Sequence, residues 1–244
     1  MKVGLFIPCY IDQFYPDTAI ATLKLLEKYG CGVVYPLDQT CCGQPMANSG
    51  FDIFSEGCGK NFVRNFSDVD YIVAPSGSCV LHVKEHLQNK DVQKANYIKK
   101  HIYELTEFLV DVLKVEKLES NFPFKVGLHV SCHGQRGLHI SSMSELIEPS
   151  FSKPEKLLNM VGGLELRKPR RWDECCGFGG TFAVKFEAIS IGMADQKVEN
   201  ALATGAEYII STDHSCLMHL HGYIKQHNYN ISTLHIADVL VKGW

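Results

Sequence analysis

The feature that most constrains this chain is a pattern of apolar runs and cysteines that occurs twice. In each copy, an apolar run ends at a cysteine, a Cys-Cys-Gly triplet follows, and a second apolar run ends at another cysteine. The copies occupy residues 2–9, 41–43 and 71–79, and residues 125–132, 175–177 and 208–216. Both begin with the letters KVGL. Packing does not require cysteines at equivalent positions twice, so the pattern predicts a duplicated thiolate site.

Composition excludes several classes of protein. The chain is 45% hydrophobic and 21% charged, as in ordinary globular proteins, and its net charge of −3 gives no electrostatic case for nucleic acid or an anionic membrane. No apolar run approaches the roughly 20 residues of a membrane span, and the first residues turn polar too soon for a signal peptide. We therefore expect a cytoplasmic protein. Structural disulfides are rare there, so metal binding, redox chemistry or packing must explain the ten cysteines.

Strand-like runs alternate with helical patterns in both halves. This order predicts an α/β fold of two similar Rossmann-like halves with parallel sheets, related by a pseudo-two-fold duplication. A boundary near residues 116–123 gives domains 1–118 and 119–244. Strands are expected at residues 2–7, 31–36, 71–74, 125–130, 164–167, 208–211 and 231–233. Helices are expected at residues 16–29, 79–87, 103–114, 181–204, 216–226 and 236–241, and through much of residues 46–66. Helical material interrupted at Pro149 and Pro154 is expected at residues 144–161.

This topology has a chemical consequence. The carboxyl ends of the strands in an open parallel sheet lie at one edge, where ligands bind. Each cysteine of the repeated pattern follows a predicted strand. We therefore expect four thiols to converge at one edge of each sheet: Cys9, Cys41, Cys42 and Cys79 in the first half, and Cys132, Cys175, Cys176 and Cys216 in the second.

Four thiolates suit either a tetrahedral zinc ion or an iron–sulfur cluster. Glycine after each cysteine pair, Gly43 or Gly177, lets the backbone approach an inorganic core without a side-chain clash. A helix that starts just after the triplet would direct free amide groups at the sulfurs. Gly179 and Gly180 extend the glycine run in the second half and make it the stronger candidate for a cofactor site.

The cysteines also permit roles that need no iron–sulfur cluster. Cys31 and Cys58 have no counterpart in the other half, and we interpret both as packing residues. Adjacent cysteines can form a vicinal disulfide, so a metal-free thiol oxidoreductase is an alternative. The absence of a C-x-x-C redox motif counts against it. A zinc-binding structural or scaffold protein is the second alternative.

The duplicated pattern resembles the cysteine-rich CCG-domain family, which includes iron–sulfur subunits of heterodisulfide reductase and glycolate oxidase and proteins of lactate utilisation. The resemblance covers essentially the whole chain and implies an oxidoreductase subunit that carries one or two iron–sulfur clusters, of the [4Fe-4S] type, in L-lactate oxidation. The chain departs from the family at the closing C-x-x-C, where Ser76 and Asp213 replace the first cysteine. The site could therefore hold a conventional cluster or a zinc ion, or Asp213 could supply an oxygen ligand. Ser76 is expected beside the cofactor.

The chain has no ferredoxin-type cysteine run and no dinucleotide fingerprint. It therefore has no obvious means of passing electrons onward alone. The resemblance implies partners: a ferredoxin-type iron–sulfur subunit and a third subunit of a lactate-utilisation complex, with a small 2-hydroxy acid as substrate.

Three further residues are candidates for catalysis. His133 and His214 lie beside cysteines of the pattern and could relay a proton or bind a metal. Arg136 could bind a substrate carboxylate with two hydrogen bonds. His219 and His221, at helical spacing, are expected at the surface or the edge of the core rather than as ligands.

Overall fold

Eight short strands form two four-stranded sheets in the computed structural model, which describes every residue from Met1 to Trp244. The chain divides into two units, Met1–Leu113 and Lys114–Trp244, and each contains one sheet. Every strand pairing is parallel. The predicted α/β fold of two similar halves with parallel sheets is confirmed.

The first unit alternates strands and helices along its whole length. Its elements are β1 (Lys2–Leu5), α1 (Cys9–Phe14), α2 (Pro16–Lys28), β2 (Gly32–Val34), α3 (Gln44–Asn48), α4 (Glu56–Phe66), β3 (Tyr71–Ala74), α5 (Gly77–His86), α6 (Val92–His101), β4 (Ile102–Glu104) and α7 (Leu105–Glu107). A 3₁₀ turn at Asp52–Ser55 precedes α4, and a π-helical turn at Phe108–Val112 follows α7.

The second unit repeats the order of strands. Its elements are β5 (Lys125–His129), α8 (Lys153–Leu158), β6 (Glu165–Arg167), α9 (Thr181–Lys185), α10 (Glu187–Leu202), β7 (Tyr208–Ser211), α11 (His214–His227), β8 (Ser232–His235) and α12 (Ile236–Leu240). A π-helical turn, His133–Gly137, begins directly after Cys132.

The two sheets have the same topology. Their strand orders are β2-β1-β3-β4 and β6-β5-β7-β8, so β1 and β5 take equivalent central positions. The register is equivalent as well, since Val3 pairs with Tyr71 and Val126 pairs with Tyr208. Residues that follow β1, β3, β5 and β7 therefore lie at one edge of their own sheet.

The cores of the two units differ in chemistry. In the first unit, Phe6, directly after β1, packs edge-on against Phe62 of α4, with ring centroids 4.9 Å apart. Phe66, one turn later, contacts both rings. The core around α10 is built from smaller residues and includes Ala194, Val198, Ile209, Leu220 and the thiols of Cys176 and Cys216.

Three helix predictions were too long. The region 46–66 contains two helices, because Gly50 takes a left-handed φ of 83° and a 3₁₀ turn follows. The region 181–204 breaks at Phe186, and only Lys153–Leu158 is helical within 144–161. No helix combines the length and the apolar composition needed to cross a bilayer.

The helix predicted at 103–114 was wrong at its start. Ile102–Glu104 is the fourth strand of the first sheet, and Ile102 pairs with Ile72 of β3. A three-residue strand has too little pattern to be recognised without its partner. Helix α6 was not predicted. It is largely polar, its first turn is capped by the Asp91 carboxylate, and Ala95 and Ile98 supply its buried face.

Candidate metal centre

Four thiols of the first unit meet at the carboxyl edge of its sheet. Cys9 begins α1 a few residues after β1, and Cys79 is the third residue of α5 after β3. Cys41 and Cys42 occupy the turn before α3. The Cys41 sulfur lies within hydrogen-bonding reach of the thiols of Cys42 and Cys9, and Cys42 lies within reach of Cys79. The convergence expected from topology is therefore present in the first unit.

The second unit has the same arrangement. Cys132 follows β5, Cys216 is the third residue of α11, and Cys175 and Cys176 lie in the turn before α9. The Cys175 sulfur lies within hydrogen-bonding reach of the Cys132 and Cys176 thiols, and Cys176 also reaches Cys216. All ten cysteines of the chain are free thiols.

One sulfur in each group is the preferred thiolate. The pKa of Cys41 is lowered because the Cys42 and Cys9 thiols hydrogen-bond to its sulfur. In the second unit, hydrogen bonds from Cys132 and Cys176 lower the pKa of Cys175. The donating neighbours have raised pKa values, since each keeps the proton that it shares. A metal cation that replaced these protons would be bound by the whole group of sulfurs.

The glycine of each triplet shapes the turn around the thiolate. Gly43 and Gly177 have φ values of 96° and 91°, which residues with a side chain rarely adopt. This conformation directs the Gly43 amide to the Cys41 sulfur and the Gly177 amide to the Cys175 sulfur, at 3.4 Å in both cases. A Cβ on Gly177 would lie 2.7 Å from the carbonyl oxygen of Ser190. Space and backbone conformation thus both require glycine there.

Ser76 and Asp213, which the sequence analysis places beside a cofactor, cap helices at the two sites. Ser76 Oγ accepts a hydrogen bond from the Cys79 amide at 3.4 Å and is hydrogen-bonded to Tyr10. Asp213 Oδ1 accepts hydrogen bonds from the Ser215 amide and hydroxyl at 3.2 and 2.9 Å. Each side chain is fully buried and fixes the first turn of the helix that carries a site cysteine. Their contact with a cofactor stays a prediction.

A residue that the sequence did not single out lies against the second group of thiols. His129, the last residue of β5, is 1% exposed, and neither ring nitrogen has a hydrogen-bond partner. A ring nitrogen of His129 and the sulfurs of Cys176 and Cys216 all lie within 4.8 Å of one another. Burial and the nearby Lys197 ammonium lower the pKa of His129, so the imidazole is neutral. The repeated KVGL indicated this position, because Phe6 follows the first copy and His129 the second.

Lys197 of α10 is a second polar residue in this core. It is 4% exposed, and its Nζ donates hydrogen bonds to the carbonyl oxygens of Arg171, Trp172 and Glu174 at 3.3, 2.7 and 3.0 Å. These carbonyls belong to the loop that leads into Cys175. The ammonium thereby holds the loop in place and faces the buried thiols.

Among the candidate catalytic residues, Arg136 has internal partners. Its guanidinium forms an ion pair with Glu145 and donates to the carbonyl oxygen of Asp173 at 3.2 Å. The Asp173 carboxylate accepts a hydrogen bond from the Ser144 amide at 2.8 Å. Arg136 therefore ties two loops together beside Cys132, and binding of a substrate carboxylate stays a prediction.

The two candidate histidines differ in environment. His133 begins the π-helical turn after Cys132 and is half-buried. His214 is buried at the start of α11 and stacks on His235, with ring centroids 4.9 Å apart. Burial and His235 lower the pKa of His214 to about 2, so it does not carry a proton near neutral pH. A proton-relay role stays a prediction for both, and the environment of His214 opposes it.

Another pair of histidines occupies equivalent positions in the two units, and this duplication was not predicted from the sequence. His82 and His219 stand three residues after Cys79 and Cys216. His82 is buried near Cys41, and His219 is hydrogen-bonded through Nε2 to Ser190 Oγ at 3.3 Å. His221 is exposed, as expected.

The remaining residues of the prediction lie around the turns. Gly179 and Gly180 have positive φ values and lead into α9. Cys31 is buried away from the repeated pattern, in agreement with a packing role. Cys58 is nearer to the site than expected, because a Cβ on Gly43 would lie 3.5 Å from that of Cys58.

Comparisons with known proteins agree with this duplication. The profile of the cysteine-rich domain family CCG matches residues 3–84 and again residues 126–221. Proteins named lactate utilization protein A are similar over nearly the whole chain. The one from Halalkalibacterium halodurans is 42% identical over 98% of this chain and 96% of its own length, and the one from Bacillus subtilis is 41% identical over 98% and 99%.

A solved structure shares the fold. The crystal structure of a hypothetical protein from Helicobacter pylori superposes with a TM-score of 0.62 at 17% sequence identity. The match covers all of this chain and 49% of that protein. At this identity the likeness supports the architecture alone.

Proposed function

The chain belongs to the cysteine-rich CCG-domain family, and we propose that it is an iron–sulfur subunit of a lactate-oxidising system. The observation that carries the proposal is the meeting of four thiols, from three separate segments, at the edge of each sheet. A [4Fe-4S] cluster at such a site supplies reversible one-electron transfer. The relatives' name contributes the substrate, lactate.

The residues present fit such a group. Thiolates are the preferred ligands of iron–sulfur clusters, and each site offers four of them. The amides of Gly43 and Gly177 already point at a sulfur in each site, and such hydrogen bonds stabilise negative charge there. Cys9, Cys41, Cys42 and Cys79 would hold one cluster, and Cys132, Cys175, Cys176 and Cys216 the other.

The proposed reaction also requires partners. Oxidation of L-lactate to pyruvate releases two electrons and two protons, and this chain has neither a ferredoxin-type cysteine run nor a dinucleotide fingerprint. We therefore propose that the electrons pass from this chain to a ferredoxin-type iron–sulfur subunit, and that a third subunit completes the complex. The ten free thiols fit a reducing compartment, which supports a cytoplasmic location.

A structural zinc site in each unit is the second candidate function. It is favoured by the closeness of the thiols, which lie within hydrogen-bonding reach of one another. Ligands about 2.3 Å from one tetrahedral ion are separated by roughly 3.7 Å, a similar spacing. Zinc would hold the turns without transferring electrons.

The test of the proposed function is growth on L-lactate of a bacterium that depends on this protein. We expect Cys176→Ser to abolish growth on lactate and to leave growth on glucose intact. Cys31→Ser, which removes a thiol outside both groups, is the matched control and should preserve growth on both. Normal growth of the Cys176→Ser strain on lactate would count against the proposal.

A further inference from the structure

Two positions distinguish the second site from the first. Phe6 and His129 each follow the repeated KVGL, at the carboxyl ends of equivalent central strands. The helices after the triplets can be aligned through a shared contact: a Cβ on Gly4 would touch Phe66 of α4, and a Cβ on Gly127 would touch Ala201 of α10. One turn earlier on these helices stand Phe62 and Lys197.

The pair of residues at these positions is apolar in one unit and polar in the other. Phe6 and Phe62 form an edge-to-face aromatic contact in the first unit. His129 and Lys197 in the second unit are nearly as deeply buried as these two rings. Burial of a polar group disfavours folding unless the group is hydrogen-bonded or paired. Lys197 has its three carbonyl partners, but the His129 nitrogens have none within the protein. The imidazole is left with the thiols of Cys176 and Cys216, which lie within 4.8 Å.

We propose that His129 supplies a nitrogen ligand to the metal centre of the second unit in place of one of the four thiolates assigned above, so that mixed nitrogen and sulfur ligands hold this centre. The first unit offers thiolates alone at the corresponding place, because Phe6 has no donor atom. This inference rests on the proposed function in one respect, that the thiol groups hold metal. It applies to iron and to zinc, since both accept imidazole together with thiolate.

The assignment makes the two centres chemically unequal. A neutral imidazole in place of a thiolate leaves a centre with one negative charge fewer, and histidine ligation of iron–sulfur centres raises their reduction potential. The buried Lys197 ammonium faces the same thiols and acts in the same direction. The second centre therefore takes up an electron more readily than the first.

The test is pulsed electron paramagnetic resonance of the full chain labelled with ¹⁵N-histidine, purified anaerobically and reduced with dithionite. We expect the strong hyperfine coupling of a directly bound nitrogen in the wild type and its loss in His129→Phe. The double variant H129F/K197F reproduces the Phe6–Phe62 pair and tests the same loss in a core without a buried charge. His221→Phe, at an exposed position, should keep the coupling. If the metal is zinc, the same measurement is made after replacement by cobalt(II).

The outcomes separate the inference from the function on which it rests. A wild-type protein that contains metal but shows only the weak coupling of a distant nitrogen would overturn the role of His129 alone. Strong coupling that persists in the folded His129→Phe variant would do the same. A wild-type protein that binds neither iron nor zinc would overturn both proposals.

Discussion

Ser190 donates a hydrogen bond of 2.8 Å from its Oγ to the carbonyl oxygen of Gly177, which ties helix α10 to the turn that carries Cys175 and Cys176. Gly177 has a left-handed φ and packs directly on α10. The geometry of the thiol group therefore depends on how closely this helix approaches the turn.

Replacement of Gly177 by alanine tests that dependence. The new Cβ would lie 2.7 Å from the Ser190 carbonyl oxygen and 2.8 Å from the Met193 Cβ, in a backbone conformation that alanine disfavours. We expect Gly177→Ala to lower the free energy of unfolding by about 2–4 kcal/mol and to weaken metal binding in the second unit. Chemical denaturation and metal content measure the two effects.

Gly192→Ala is the matched control on the same helix. Gly192 is exposed, and a Cβ there meets nothing within 4 Å. Alanine is the better helix former, so this variant should be more stable by up to about 1 kcal/mol and keep its metal. Equal behaviour of the two variants would contradict the close approach of α10 to the turn.

Lys197→Met should loosen the loop before Cys175. The change keeps a long apolar stem but removes the three hydrogen bonds to the carbonyls of Arg171, Trp172 and Glu174. Leaving these groups unpaired should destabilise the second unit by roughly 2–4 kcal/mol. Trp172 lies in this loop, so its fluorescence should shift toward that of a solvated indole. Lys225→Met, at an exposed lysine, should change neither stability nor fluorescence.

The buried carboxyl of Glu104 predicts a dependence of stability on pH. Burial raises its pKa to about 8, while Oε2 caps α7 and Oε1 has no partner. The unfolded chain ionises this group near its usual pKa of about 4.5, so its contribution to stability is full below that pH and is lost as pH rises toward 8. Glu104→Gln keeps a capping oxygen and cannot ionise. We expect it to be more stable than wild type at pH 8 by roughly 1–3 kcal/mol and nearly equal to it at pH 4.5.

Urea denaturation of both proteins across this pH range measures the difference. Asp70, an exposed carboxylate that accepts a hydrogen bond from the Lys2 amide, provides a comparison, since Asp70→Asn should show no such gain at pH 8. A Glu104→Gln variant whose stability runs parallel to that of wild type at every pH would exclude the raised pKa.

The repeated pattern was sufficient to predict the sheets and the meeting of the thiols. Cys9, Cys79, Cys132 and Cys216 lie within a few residues of a buried strand, whereas the two cysteine pairs follow the short strands β2 and β6 after longer loops. Parallel topology places the ends of all these strands at one edge. Strand β4 was missed because three residues, Ile102–Glu104, have no period of their own and become a strand only through pairing with β3.

His129 and Lys197 were missed in the sequence for a different reason. A histidine at the end of a strand is ordinarily a core or surface residue, and a lysine within a helix is ordinarily exposed. Their burial depends on α10 packing close to β5, where Ala201 approaches Gly127, and on the carbonyl oxygens that accept hydrogen bonds from Lys197. Only the comparison of the copies, with Phe6 and Phe62 at the same places, marks them as exceptional.

The central claim is tested most directly by the iron and acid-labile sulfide content of the anaerobically purified chain. We predict iron and sulfide in similar amounts, with about half of both lost in Cys176→Ser and nearly all lost when Cys42→Ser is added. Cys31→Ser should retain the full content. Zinc without sulfide would favour the structural alternative, and a wild-type protein without metal, or a double variant that keeps its iron and sulfide, would contradict the account.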